Sequence, residues 1–254
     1  MKNTQPQFPA EEVTLPSKGL LYPENSSIRS GKIEMKYMTA REEDILTNQN
    51  YIKNGVAIDK LLKSLIISPI NFDDLLLGDK NAIMIAARIL GYGAEYEIKM
   101  KHPQTGIETE GIIDLSKIKD KELNKDLITE GKNEFDFLLP TSKTDITFKL
   151  LTHSDESKID TEIEGMKKLN KNTSGTIRLK HTILSVNGDY EKRTIRDFVD
   201  NKLLARDARA LRNYINEIQP GIDMSVDVEF KDGHVESNVI LPIGLNFFWP
   251  DVGI

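Results

Sequence analysis

The sequence predicts an α+β fold with two related lobes. Each lobe begins with a short extended segment or strand, continues with helices and ends in a C-terminal β-hairpin. The first observation is a repeated unit: residues 203–230 contain a helical stretch, a glycine and an alternating strand, and residues 75–100 do the same. The repeat keeps a constant offset of 128 positions, as between Asp79 and Asp207 (207 − 79). The second observation is a turn between two alternating runs at the end of each unit, which is typical of a hairpin. Internal duplication is therefore predicted.

The chain divides into three segments on this interpretation. A loose, polar and proline-bearing arm is expected at residues 1–12, followed by the first lobe at 13–131 and the second at 132–254. The boundary is placed at a charged, weakly helical stretch over 117–130, after which the order of signals starts again. The alternative to duplication is two unrelated α+β segments that share common capping devices.

Each element of the first lobe carries a local signal. Prolines disfavour a helix, and alternation of apolar and polar residues indicates a strand. Apolar residues at helical spacing indicate a helix, and a glycine indicates its end because glycine adopts the left-handed backbone conformation found there. In chain order the predicted elements are extended chain over 13–23 with a turn at Lys18-Gly19, a strand over 33–38, a helix over 40–48 after a Thr39–Glu42 capping box, a helix over 58–66, a helix capped by Asp79 that ends at Gly91–Gly93, and a hairpin over 95–115.

The second lobe repeats these signals in the same order. Leu139-Pro140 echoes Leu15-Pro16, and the spacing of Thr152 and Asp155 resembles the first capping box. In chain order the predicted elements are an extended stretch over 135–139, a strand over 145–150, a helix over 155–169, a turn at Asn187-Gly188, a helix from Thr194, a helix after Leu203, and a hairpin over 224–241 around Asp232-Gly233.

Composition excludes several classes of function. The 254 residues include no cysteine, which excludes disulfides, thiol catalysis and thiolate metal sites. A net charge of −6 argues against a general nucleic-acid binder, which requires a basic surface. There is no run of about 18 apolar residues and no apolar signal-peptide core, so neither a membrane span nor secretion is expected. An intracellular protein fits these features.

No catalytic, cofactor or metal site is predicted. His102 and His234 stand beside the two hairpin turns without a second histidine nearby in sequence, so they are expected to be surface turn residues. The acids at 42–44 and 73–74 lie near helix starts, where the helix dipole favours negative charge, and a surface role is expected. Phosphate-loop, dinucleotide-binding, nucleophile-elbow and zinc-protease motifs are absent from the sequence.

Six residues are candidates for binding a partner protein. The C-terminal stretch contains the only tryptophan, and buried aromatic residues dominate both cores and interface hot spots. This tail either packs on its own lobe or anchors a partner. The region 178–212 is locally basic, so it is either a solvated helix face or a patch for an acidic partner. The candidates are Phe247, Phe248, Trp249, Pro250, Arg206 and Arg209.

Four stretches of the sequence resemble one phage protein family. They are Leu15–Pro23, Lys36–Leu46, Leu203–Leu211 and Pro242–Asp251, and the second stretch and the Phe-Phe-Trp-Pro ending of the fourth are the most specific. Over residues 12 to 251 the chain resembles the T-even-type bacteriophage baseplate protein family, the baseplate hub assembly proteins of contractile-tailed phages.

The resemblance implies a function in baseplate assembly. It implies a non-enzymatic assembly factor or chaperone for the baseplate hub, which binds hub or tail proteins in the host cytoplasm and needs no nucleic acid or membrane. A permanent structural subunit of the baseplate is the alternative, and an enzyme acting on the cell wall is a third interpretation without a supporting motif.

The resemblance also implies cysteine pairs in the two hairpins, as in a zinc ribbon. This chain has no cysteine, so its hairpins resemble metal-free, degenerate zinc ribbons and a zinc function is not carried over.

Overall fold

The structure, a computed structural model, describes residues 9–169 and 173–248 of the chain and confirms the α+β class. The strands are β1 Ala10–Thr14, β2 Lys32–Lys36, β3 Glu95–Lys101, β4 Glu108–Asp114, β5 Phe135–Leu138, β6 Asp145–Phe148, β7 Ile183–Val186, β8 Ser225–Phe230 and β9 Val235–Ile240. The helices are α1 Ala40–Thr47, α2 Gln49–Lys53, α3 Ala57–Leu65, α4 Leu77–Tyr92, α5 His153–Lys168, α6 Ser174–Thr182, α7 Lys192–Asp197 and α8 Ala205–Ile218. A π-helical turn, Phe198–Lys202, follows α7.

The two predicted hairpins join into one antiparallel sheet of four strands, in the order β3-β4-β8-β9. The contact between hairpins is short, with Gly111 opposite Phe230 and Ile112 opposite Glu229. A Cβ atom at Gly111 would overlap the side chain of Val228. The glycine therefore permits the close approach of the two hairpins.

Each half also contains a small sheet of its own. In the first half β1 pairs with β2, and Met35 on β2 forms a further bridge to Ile66, the residue after α3. In the second half β5 pairs with β6, and β6 pairs with β7, which follows α6 directly. The shared order of elements agrees with a duplication, which stays a prediction. Superposition of residues 13–115 on 135–243 is the comparison that tests it.

Backbone hydrogen bonds tie the two halves together beyond the shared sheet. The N–H of Leu77 donates to the carbonyl of Leu151 at 3.2 Å, and the N–H of His153 donates to the carbonyl of Leu75 at 2.8 Å. One continuous cluster of buried apolar side chains includes residues from both halves. The helices and strands on the two sides of the predicted boundary at 131/132 thus share one sheet and one hydrophobic core.

Four details differ from the sequence-based expectations. Strand β1 begins at Ala10, inside the predicted arm, because its backbone pairs with β2; residues 1–8 lie outside the described part. The stretch 117–130 contains short 3-10 turns and an isolated bridge from Asp120 to Ile222 instead of a weak helix. Residues 177–186, which were given no element type, divide into the end of α6 and strand β7. Asp79 does not cap α4, since the helix begins two residues earlier.

Two glycine-to-alanine substitutions are expected to have opposite effects on stability. A Cβ atom at Gly78, in the first turn of α4, would overlap the carbonyl oxygen of Pro220 from the other half, so Gly78→Ala should destabilise the protein by about 1–3 kcal/mol. Gly165 lies in α5 with open space around it, so Gly165→Ala should stabilise by about 0.5–1 kcal/mol. Urea unfolding measures both. Equal effects would contradict the close approach of α4 to Pro220.

Candidate functional site

The repeated aspartates hold a turn in each half of the protein. Asp79 is fully buried and accepts hydrogen bonds from the N–H of Ser17 at 2.9 Å and from the hydroxyl of Tyr22 at 2.6 Å. Burial raises the pKa of Asp79, because desolvation of the carboxylate outweighs these hydrogen bonds from neutral donors. Tyr22 also accepts from the N–H of Leu76 at 2.9 Å, which fixes the start of α4 against the Leu-Pro turn.

Asp207 makes the corresponding contacts in the second half. Its carboxylate accepts from the N–H groups of Thr141 and Ser142 at 2.8 and 2.9 Å, in the turn that follows Leu139-Pro140. Desolvation alone would raise the pKa of Asp207, but these hydrogen bonds outweigh it and lower the pKa. The Leu-Leu-x-x-Asp motif is therefore a structural device that orients α8 in the same way as α4.

Both halves also contain a partly buried lysine–carboxylate pair at a helix start. The capping box of Thr39 and Glu42 is confirmed, and Lys36 donates to Glu42 at 2.8 Å. Desolvation opposes ionisation of Glu42, yet hydrogen bonds from Lys36, Thr39 and Ser64 lower its pKa to about 2. The expectation of a surface acid at Glu42 is wrong, because the α1–α3 packing encloses its carboxylate.

The same arrangement recurs at the start of α5. Lys149 donates to the carboxylate of Asp155 at 2.7 Å, and Thr152 and Asp155 form the second capping box. The echo of the first capping box in the second half is therefore confirmed.

The two hairpin turns meet at a buried imidazole cluster. His102 is 4% exposed, and its ring centroid lies 4.6 Å from that of Phe230 and 5.0 Å from that of His234. The Nε2 atom of His102 is 3.2 Å from a carboxylate oxygen of Asp232. The prediction of a surface turn residue is wrong for His102, because pairing of β4 with β8 brings one turn beside the other.

The cluster does not provide a ligand set for a metal ion. In the part of the chain that the structure describes, no group of three or more histidine, cysteine, aspartate or glutamate side chains is arranged to hold a metal. The Nδ1 atom of His102 accepts from the N–H of Gln104 at 3.2 Å, so this nitrogen is engaged in the turn itself.

The C-terminal tail returns to the first half of the protein. Phe247 and Phe248 are fully buried, and the ring of Phe247 lies edge-on to that of Tyr96 on β3, with 5.0 Å between centroids. This burial agrees with self-packing of these two residues and leaves their side chains no surface for a partner. Trp249 and Pro250 lie outside the described residues, so their assignment to a partner surface stays a prediction.

Arg206 and Arg209 are exposed on α8, as the partner-binding prediction requires. Together with exposed Arg212 they form a stripe at three-residue spacing, which we call the arginine stripe. None of the three forms an ion pair with any residue in ranges 9–169 and 173–248. The opposite side of α8 packs on the β5-β6-β7 sheet, where Tyr214 stacks on Phe137 with 4.8 Å between centroids.

A cleft of about 460 Å³ lies where the two halves meet. Its lining is mostly amide and hydroxyl side chains with a single carboxylate, that of Asp74, and neither histidine nor lysine lines it. Two titratable side chains line it, those of Asp74 and Tyr22, and burial and the neighbouring Asp79 raise the pKa of Tyr22. An open hollow nearby is lined by Asp73, Lys158, Glu162 and three hydroxyl side chains.

Beside these cavities, His153 links the start of α5 to the first half. Lys80 donates to Nδ1 of His153 at 3.1 Å and to Asp59 at 2.6 Å, while Nε2 of His153 lies 3.4 Å from the other carboxylate oxygen of Asp59. The ring also lies edge-on to Phe72, 4.7 Å between centroids. Burial lowers the pKa of His153, and the positive charge of Lys80 lowers it further.

Acidification below about pH 6.5 is expected to destabilise the protein through His153. The pKa of a histidine in the unfolded chain is about 6.5, above the lowered pKa in the folded protein. The unfolded state therefore binds more protons in this window, and the free energy of unfolding decreases as the pH falls through it. Urea unfolding between pH 7.5 and 5.5 measures this loss, and His153→Gln should reduce the slope. An unchanged slope in His153→Gln would contradict the assignment.

A comparison with protein families matches residues 12–249 to the family described as T4 bacteriophage base plate protein. The chain belongs to this baseplate family. The match spans both halves of the fold, from β1 through the Leu-Pro turns and the shared sheet to the buried tail. No curated protein matches the chain, and no solved structure does so.

Membership in the baseplate family indicates a protein associated with the phage virion or its assembly, in contact with other baseplate proteins. No helix among the described residues has the length and apolar character that a membrane span requires.

The sequence analysis did not identify the exposed acids on β3 and β8 as a possible surface for a partner. Acidic residues at alternating positions, 95 and 97 on β3 and 227 and 229 on β8, are the pattern that could have indicated it.

Proposed function

We propose that this baseplate-family protein is a non-enzymatic assembly factor for the baseplate hub, which acts by binding hub or tail proteins in the cytoplasm of the infected cell. The match of residues 12–249 to the baseplate family carries the proposal. In such a role the protein would need surfaces for partners and no reaction centre.

The distribution of polar groups supports a binding role over an enzymatic one. The buried carboxylates of Asp79 and Asp207 are engaged in holding turns, and the carboxylate of Glu42 is engaged in a capping cluster. Perturbed titratable groups mark catalytic sites when they face a cleft, whereas these carboxylates are hydrogen-bonded to backbone N–H groups, hydroxyl groups and one lysine. A zymogram with purified protein tests the enzymatic alternative, and cleared cell wall would contradict the proposal.

Two regions are proposed as partner contacts. The arginine stripe supplies exposed positive charge, which favours an acidic protein surface. Trp249 and Pro250 follow directly on Phe247 and Phe248, so the buried phenylalanines anchor the chain immediately before the proposed contact. Tryptophan and arginine are the residue types most enriched at interface hot spots.

Affinity capture from infected cells tests the assembly role. The tagged full-length chain should recover hub or tail proteins at the stage when baseplates form, and a tagged protein of similar charge from the same phage is the control. Recovery of the same proteins by both, or of no baseplate protein, would contradict the proposal.

A permanent structural subunit of the baseplate is the second candidate. The family description names a base plate protein without distinguishing a component from a factor that leaves after assembly, and this observation favours the alternative. The two candidates share the binding surfaces and differ in whether the protein stays in the particle.

A further inference from the structure

One face of the four-stranded sheet is exposed and carries a group of acids, with Lys99 and Lys101 on the same face nearer the first hairpin turn. Side chains alternate across a strand, so Glu95 and Glu97 on β3 lie on the same face as Asp227 and Glu229 on β8. Ile112 on β4 lies between them, opposite both Glu97 and Glu229, and remains 37% exposed. We call these five residues the acidic face.

Lys99 lies on the same face, and Glu97 interacts electrostatically with Lys231, but no cation lies within 4 Å of the four carboxylates of the acidic face in the described part of the molecule. None of them occurs in an ion pair there, whereas the neighbouring Glu110 is paired with Lys231. Val235 on β9 extends the apolar centre, because it pairs with Glu229 and is 48% exposed. An apolar centre with a charged rim is the usual anatomy of a protein interface.

The arginine stripe has the complementary composition. Arg206, Arg209 and Arg212 are exposed and unpaired over the described residues, and Leu204, directly before α8, is 46% exposed. Arginine is well suited to bind an acidic surface, because its planar guanidinium binds a carboxylate through two hydrogen bonds. The same chain thus presents an acidic and a basic surface, each with an exposed apolar residue.

The spacings of the two surfaces match. Residues three apart on a helix advance by about 4.5 Å along its axis, so Arg206 and Arg212 are about 9 Å apart along the axis and turned by about 120° around it. Adjacent strands are about 4.8 Å apart, which places Glu97 and Glu229, two strands apart, about 9.6 Å from one another. With Arg209 above Ile112, a helix laid across the strands would place the outer arginines on its two flanks, from which their long side chains can reach these two glutamates.

We propose that the arginine stripe of one copy binds the acidic face of a second copy of this chain. The inference rests on the proposed function, which assigns the stripe to a protein contact, and it adds that the protein in contact is a second copy of this chain. The contact joins two different surfaces, so an open assembly keeps a free stripe at one end and a free face at the other unless it closes into a ring. Four short strands offer about 400 Å² of flat surface, less than the roughly 800 Å² per partner of a stable complex, so the association is weak and salt-sensitive.

Sedimentation velocity of the full chain at low and high salt tests this contact. The wild type should associate with rising concentration in about 50 mM salt and dissociate in about 500 mM salt, because exposed charges are then screened. Arg206→Glu with Arg212→Glu should weaken association about a hundredfold, since like charges then face each other. Glu97→Lys with Glu229→Lys should do the same. Arg41→Glu, an exposed arginine on α1, is the control and should associate like the wild type.

A mixture of the two charge-reversed variants provides the decisive comparison. Each variant alone opposes like charges, whereas the mixture pairs glutamates on one stripe with lysines on the other face, so association should return. Thermal melts confirm that each variant is folded. A monomeric wild type at every concentration, or a mixture that stays dissociated, would overturn the inference. If self-association fails while capture of baseplate proteins succeeds, the inference fails alone; if capture fails while self-association persists, the proposed function fails.

Discussion

Asp79→Ala is expected to lower the free energy of unfolding by about 2–4 kcal/mol. The substitution leaves the N–H of Ser17 and the hydroxyl of Tyr22 without their acceptor in a fully buried site. Each buried donor without a partner costs about 1–3 kcal/mol. Removal of a desolvated carboxylate offsets part of this cost, since burial already raises the pKa of Asp79.

Urea unfolding with a double-mutant cycle measures the effect. Asp44→Ala, an exposed acid on α1, is the control and should change stability by no more than about 0.5 kcal/mol. Tyr22→Phe should cost less than Asp79→Ala, and the double variant should cost less than the sum, because both changes remove the same hydrogen bond. Additive effects, or a loss from Asp79→Ala no larger than from Asp44→Ala, would contradict the role of this aspartate.

Phe247→Ala is expected to lower the free energy of unfolding by about 3–5 kcal/mol. The side chain is fully buried, with edge contacts to Tyr96 at 5.0 Å and to Phe248 at 5.2 Å between centroids. Truncation of a buried phenylalanine loses transfer free energy and leaves a cavity. Phe247 also packs the C-terminal stretch against the first hairpin through Tyr96, so loss of its side chain should destabilise the four-stranded sheet as well.

An exposed residue of the same sheet provides the matched comparison. Ile240 on β9 is 68% exposed, and Ile240→Ala should change stability by no more than about 0.5 kcal/mol. Phe247→Leu should fall between the two, because it retains most of the buried apolar volume. If Phe247→Ala melts like Ile240→Ala, the tail is not seated against Tyr96.

The sequence predicted well those features that depend on neighbouring residues. The Thr39–Glu42 capping box, the Asn187-Gly188 turn and the hairpin at Asp232-Gly233 have signals within a few positions, and all are present. Both residues of the Asn187-Gly188 turn have positive φ angles of 50° and 78°, which this dipeptide tolerates.

Features that depend on distant residues were not predicted. Burial of His102 follows from pairing of β4 with β8, more than a hundred positions along the chain, and no local pattern encodes it. The repeat placed Asp79 and Asp207 at matching positions, and a capping role was predicted for Asp79 alone. Only the folded chain shows that each reaches back to the Leu-Pro turn of its own half.

The candidate site was partly predictable for the same reason. Arg206 and Arg209 were identified from local charge, and helical spacing alone places them on one exposed face. The acidic face could not be assembled from sequence, because its residues come from two hairpins that join only in the fold.

Quantitative mass spectrometry of purified virions is the most direct test of the assembly role. The protein should be captured with baseplate intermediates from infected cells and be absent from mature particles, or present at far fewer copies than the structural baseplate proteins. Presence at a fixed stoichiometry equal to those proteins would contradict an assembly factor and identify a permanent subunit.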